Sequence, residues 1–261
     1  MSVELSFRKS VRNLTHLELK DLRESYQFMM NIKDNRGYHY LAGFHGWPHF
    51  FCWHHQMLRE EYYGIRMFLP WHRAYLYRFE QALKDRNENI ALPWWDWSSD
   101  MSHIEGIPSA FTSQHNENGD ENPLFKTDIT YPAEQPTGIF TERDPGLPEE
   151  LPTKGTINGL MNLNEFSDFN DALENIHDAI HGWVGGSMGI VTVAAFDPIF
   201  WSHHCMIDRI WYLWQLQHGN SGMPANMYDM VLEPFDLKVR DVLNINDLGY
   251  EYAGSGASID F

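Results

Sequence analysis

The residues with the most chemical promise in this chain are histidines at helical spacing. His177 and His181 stand four positions apart, so on a helix both imidazoles leave the same face and reach one point. A pair of core histidines satisfied by hydrogen bonds would show the same spacing, and the pair alone does not choose between that and a metal. Its context adds three more imidazoles. His204 falls on the apolar face of a neighbouring helical pattern with Phe200, Ile207 and Trp211, His72 shares a face with Leu76, Phe79 and Leu83, and His45 lies in a loop upstream. Inward histidines from separate helices meeting at one centre are how helical bundles build two-metal sites.

The elements that must hold these side chains have readable ends. Thr15 and Glu18 form a capping box that opens a helix running to about Met30. Pro70 suits the first turn of the helix bearing His72, where its missing N–H costs nothing. The stretch from Ser98 to about Asn164 holds seven of the 13 prolines and reads as loops and short turns. A second helical block starts near Ser167 and runs past His181 to Gly182, and Asp197-Pro198 opens the last long helix, which ends at His218-Gly219. The expected fold is mainly α, a helical bundle core around a dinuclear metal site with long irregular loops. Residues 1–252 read as one domain and 253–261 as a flexible tail.

With 261 residues, 43% hydrophobic and 21% charged, the chain reads as a folded globular protein. No apolar run approaches membrane-spanning length and the first residues lack a signal-peptide core, so a cytoplasmic location is expected, with export by another route left open. A net charge of −17 would repel nucleic acid and anionic membrane, which leaves neutral or cationic small molecules as partners. Two cysteines, Cys52 and Cys205, make no disulfide framework. Fourteen histidines beside 10 Trp, 12 Tyr and 16 Phe suggest an aromatic-walled interior holding imidazoles.

Four segments carry a family resemblance: FLPWHRAYLYRFEQAL (68–83), HDAIHGWVGGSMG (177–189), DPIFWSHHCMIDRIWYLW (197–214) and NDLGYEY (246–252). Together they resemble the tyrosinase, catechol oxidase and molluscan hemocyanin family of type 3 dinuclear copper proteins, over nearly the whole chain from Arg8 to Tyr252. The resemblance implies two copper ions, each held by three histidines. His45 and His72 resemble the first and third ligands of the first copper. His177, His181 and His204 resemble those of the second, with His203 beside the shell because neighbouring helical residues diverge by about 100°. The remaining ligand departs from the family pattern: nine residues before His72, where a histidine is expected, stands Tyr63. Cys52-Trp53-His54 matches the Cys-x-His of members that link the cysteine sulfur to that ligand, so His54 is favoured, with Cys52 as its cross-linking neighbour. His55 and Tyr63 remain the competitors.

Three neutral imidazoles per ion suit both oxidation states of copper. The resemblance then implies a small phenolic substrate and O2, with o-diphenols or o-aminophenols oxidised to o-quinones or quinone imines and monophenols ortho-hydroxylated by some members. A copper-delivery protein is a further candidate partner, and the sequence leaves the oligomeric state open. Asp178 occupies the place of a family Asn thought to orient a water, and it could act as a base or repel phenolate. Asp168 and Glu174 are candidates to hold such a water, against a plain reading as exposed helix carboxylates. Val191 matches a gate position and leaves more room than the family's Phe. Asp208-Arg209 reads as a structural ion pair, Trp71, Trp95, Trp201 and Trp211 as core, and His16, His39, His49, His103, His115 and His218 as surface or cap residues. Two alternatives share the ligands: an oxygen-binding protein, and a non-redox zinc enzyme of secondary metabolism, for which Tyr63 would supply a harder donor.

Overall fold

A computed structural model describes residues 5–54, 65–131 and 137–254. Its helices are α1 (His16–Asn31), α2 (Tyr38–Ala42), α3 (Phe68–Leu83), α4 (Ser102–Glu105), α5 (Ser109–Thr112), α6 (Lys154–Met161), α7 (Phe166–Val184) and α8 (Ile199–His218). The mainly helical expectation holds. Among the described residues strand is confined to two small pairs: β1 (Ser6–Arg8) runs parallel to β4 (Tyr250–Tyr252), and β2 (Val231–Leu232) pairs antiparallel with β3 (Leu237–Lys238).

The long helices begin as their sequences direct. Thr15 accepts from the Glu18 amide while the Glu18 carboxylate accepts from the Thr15 amide, which satisfies two otherwise free donors of α1. Asp197 accepts from the Ile199 amide at 3.1 Å and caps α8. The end of α7 differs from the expectation: the helix passes through Gly182 and stops at Val184, with Gly185 at φ +65°. A Cβ at Gly185 would stand 2.5 Å from the Asp144 carbonyl oxygen, so only glycine turns the chain there. The middle stretch also holds more helix than expected. α6 carries two glycines and is too short to show a long period, yet it stands because Ile157, Leu160 and Met161 are buried and Thr153 caps its first turn.

α3 packs on α8, with the rings of Phe79 and Trp201 stacked at 3.5 Å. Trp71, Trp95, Trp201 and Trp211 are all buried, in keeping with their reading as core. Asp208 is a correction. Its partners are Arg73 (2.5 Å) and Arg8 (3.2 Å), with the hydroxyls of Tyr250 (2.7 Å) and Tyr252 (2.5 Å) donating to the same carboxylate, rather than its neighbour Arg209. Adjacent helical residues point apart, so the carboxylate meets α3 and β1 instead. Burial would raise its pKa; the guanidiniums of Arg73 and Arg8 reverse this and hold it below the usual carboxylate range. His39 is a second correction: it sits on α2 and is buried, where burial lowers its pKa to about 4.

Candidate metal centre

α3 aims His72 inward from its first turns, α7 aims His177 and His181 from its last, and α8 brings His204 beneath both. Near α3, His45 follows α2 in a loop and His54 lies on the next extended stretch. His177 Nε2 is 3.2 Å and His181 Nε2 3.3 Å from His204 Nε2, and His45 Nε2 is 3.2 Å from His54 Nε2. The His72 ring lies 5.4 Å from that of His54 and 5.5 Å from that of His45. The two triads face each other, with His72 stacked on His204 at 4.5 Å and His54 on His177 at 5.5 Å.

The far side of four of the six rings explains why their Nε2 atoms are left facing inward. Nδ1–H of His45 donates to the Val191 carbonyl (3.3 Å), that of His72 to Phe68 (2.9 Å), and that of His181 to Met188 (2.7 Å). His177 donates from Nδ1 to Asp178 Oδ1 at 3.0 Å. A nitrogen that faces a carbonyl must carry the proton, so Nε2 carries the lone pair. Lone pairs aimed at one another in a dry interior repel unless a cation lies between them. Nitrogens sharing a tetrahedral ion at about 2.0 Å stand roughly 3.3 Å apart, which the separations around His204 match. Among the described residues His72 Nε2 has no hydrogen-bond partner at all, although it is buried. The donor set therefore fits a pair of metal ions.

The family model for the common central domain of tyrosinase matches residues 24–217. The chain belongs to the tyrosinase family. This tyrosinase-family chain is 33% identical over 243 residues to the G-type hemocyanin, units Oda to Odg, of Enteroctopus dofleini, covering 86% of itself and 8% of that protein. With the tyrosinase of Streptomyces glaucescens it shares 32% identity over 181 residues, covering 60% of itself and 66% of that relative. Its fold superposes on a functional unit of octopus hemocyanin with a TM-score of 0.78 and 26% identity, covering 96% of this chain and 68% of that one. The chain thus spans less than two thirds of the length of both of these sequence relatives, and under a tenth of the multi-unit hemocyanin.

Within this member of the family the other candidate residues fall into three groups. Asp178 and Val191 line a cavity of about 440 Å³ with His45, His54, His177 and His181. Asp178 is partly exposed at its edge, and Val191 is exposed while its carbonyl holds His45. Cys52, His203 and Glu174 surround the cluster. The Cys52 thiol is buried near His45 and His54, and burial pushes its pKa up to about 12. His203 stacks on His177 at 5.2 Å and lies 4.9 Å from the His181 ring, so it packs against the shell more closely than its divergence from His204 suggests. Glu174 is buried, and so is not a surface carboxylate. Asp168 is the residue left out: it is exposed on α7 and does not line the cavity. Tyr63 and His55 lie outside the described residues.

Burial is the main cause that holds His45, His72, His177, His181, His203 and His204 neutral at physiological pH. It drives the pKa values of His45, His72, His177, His203 and His204 well below the ordinary histidine value, with neighbouring imidazoles adding to the effect. His181 falls to about 4, with the Met188 carbonyl opposing the burial. Neutral rings present lone pairs, the form a metal needs. Sequence reasoning gave no role at the centre to Phe68 or Phe200, whose rings pack on His177 (4.7 Å) and His204 (4.0 Å) and help set their orientation. Phe200 was discoverable, since it precedes His204 by one helical turn.

Proposed function

We propose that the protein is a copper-dependent oxidase of o-diphenols or o-aminophenols that uses O2. His45, His54 and His72 would hold one ion and His177, His181 and His204 the other. Bound copper supplies the redox capacity, so that two diphenols give two quinones while one O2 becomes two waters. The observation that carries the enzyme reading is the cavity of about 440 Å³ beside the histidine cluster, a volume within the range of small-molecule sites. Val191 presents a short side chain at its edge, which leaves room for an aromatic ring to approach.

Asp178 sets the electrostatics of that approach. Its carboxylate accepts from His177 and orients the ring, and its charge opposes a phenolate entering the same cavity. Diphenols and aminophenols, which approach neutral or cationic, are favoured over monophenols that must be deprotonated before hydroxylation. Steady-state turnover of dopamine should exceed that of tyramine, and Asp178→Asn should narrow the ratio. Equal turnover of the two, unchanged by Asn, would remove Asp178 from control; no oxidation with copper fully loaded would overturn the oxidase reading. A second reading, reversible O2 binding, is favoured by the hemocyanins among the relatives. It would show as an oxygen-dependent absorption band that comes and goes without consumption of diphenol. Metal content of protein purified without added metal separates copper from zinc.

A further inference from the structure

The acceptors behind the imidazoles are not alike. His45, His72 and His181 donate their Nδ1–H to the main-chain carbonyls of Val191, Phe68 and Met188, which are neutral. His177 donates instead to a carboxylate, Oδ1 of Asp178, at 3.0 Å. The two ends of this bond lie in different surroundings: the His177 side chain is 1% exposed, whereas that of Asp178 is 37% exposed at the edge of the cavity. A carboxylate at that edge keeps part of its hydration, so its charge costs far less to hold there than in the core.

A carbonyl and a carboxylate hold a ring in the same tautomer, but they act differently on its other nitrogen. A hydrogen bond to an ionised acceptor is about twice as strong as one between neutral groups. It draws the proton away from the ring, leaves more negative charge on Nε2 and makes that atom a more basic ligand. The gain is larger toward a doubly charged ion than toward a singly charged one, because the attraction scales with the charge of the ion. For copper, this favours Cu(II) over Cu(I). We infer that Asp178, acting through His177, biases the ion held by His177, His181 and His204 toward its oxidised state. Asp178 is then a positioning residue whose charge, and not only its shape, reaches the metal. The inference rests on the ligand set proposed above and is independent of the substrate.

The test is competition for copper against two chelators, one selective for Cu(I) and one for Cu(II), in wild type, Asp178→Asn and Asp178→Glu. Asparagine has the shape of aspartate and keeps an acceptor oxygen for the His177 Nδ1–H, and the position is partly exposed, so the fold and the ring orientation survive while the charge is lost. At one of two sites Asp178→Asn should lower Cu(II) affinity about tenfold or more while Cu(I) affinity stays within about threefold. A tenfold difference between the two states is a rise of about 59 mV in the reduction potential of that ion. Asp178→Glu, which keeps a carboxylate, should bring the ratio of the two affinities back toward the wild-type value. In a His204→Ala background, where the remaining ion is the one at His45 and His72, Asp178→Asn should change neither affinity. Equal loss in both oxidation states, no loss in either, or the same shift in the His204→Ala background overturns the inference. Because the readout is copper, a protein that binds two ions and oxidises no diphenol refutes the oxidase alone, whereas one that binds no copper refutes both.

Discussion

Gly46 is where the two halves of the centre touch through backbone. It follows His45 and lies against the 191–192 segment: a Cβ there would be 2.3 Å from the Thr192 carbonyl oxygen and 2.6 Å from that of Val191. Its φ is not in the left-handed region, so the demand for glycine is one of space alone. Relieving the contact in Gly46→Ala requires the segments to part by about 1 Å. Two hydrogen bonds cross the same gap, Trp47 N–H to Thr192 O at 2.8 Å and His45 Nδ1–H to Val191 O at 3.3 Å, and both would break. Their loss costs about 1 kcal/mol each, and the residual crowding adds about 1 to 3 kcal/mol. For a chain of this size a loss of 3 to 5 kcal/mol lowers Tm by roughly 10 °C. With the tautomer of His45 no longer fixed, copper affinity at the first site should fall about tenfold or more. Thermal unfolding of the metal-free protein and copper competition against a chelator measure the two effects. Gly159→Ala is the control, since nothing lies within 4 Å of its Cβ position and alanine should hold or raise Tm. A Gly46→Ala protein within about 2 °C of wild type, with unchanged copper affinity, would refute the reasoning.

Three further outcomes follow from the geometry. His204→Ala should lose one of two coppers, whereas His203→Ala, which removes a ring stacked behind His177, should retain both; equal loss would make His203 a ligand. Asp208→Asn should cost about 3 to 5 kcal/mol in denaturant unfolding, because it leaves the Arg73 and Arg8 guanidiniums buried against a neutral amide; a loss under about 1 kcal/mol would show that the pairs contribute little. His39 should make the protein acid-sensitive. Its folded pKa is about 4 against an ordinary 6.5, so the unfolded chain takes up the proton first. Stability from this group is intact above pH 6.5 and drains by roughly 3 kcal/mol as pH falls to about 4. Stability curves of wild type and His39→Gln that run parallel across that window would contradict the assignment.

The parts of the site that were legible in the sequence are those a helix carries. His72, His177, His181 and His204 could be placed on inward faces because period and capping residues define α3, α7 and α8. His45 and His54 lie outside helices, so no periodicity could aim them, and the family resemblance was needed to make them ligands. The acceptors behind the rings were illegible for a different reason: Met188 and Val191 act through their carbonyls, which leave no trace in residue type. Glu174 could be named from sequence but not distinguished from Asp168, because whether a carboxylate on α7 is buried depends on what packs over it. Asp208 was misassigned to Arg209 because its real partners, Arg8 and Arg73, come from segments far away along the chain. His39 was read as a surface residue because α2 is too short to announce which face is covered.

The pairing of β1 with β4 joins residues 6–8 to residues 250–252, and the Tyr252 hydroxyl accepts from Arg8 and donates to Asp208. A polypeptide emerging from the ribosome makes the first of these segments long before the last. Until Tyr250 and Tyr252 arrive, β1 has no strand to join and Asp208 lacks two of its donors, even though every imidazole up to His204 has been synthesised. Closing a contact across more than two hundred residues is a late and slow event in folding. During that interval Asp208 on α8 keeps its ion pair with Arg73 on α3 but lacks the two phenol hydroxyls that complete its shell. The order of synthesis therefore leaves the shell of Asp208 to be completed only after α3 and α8 have both been made.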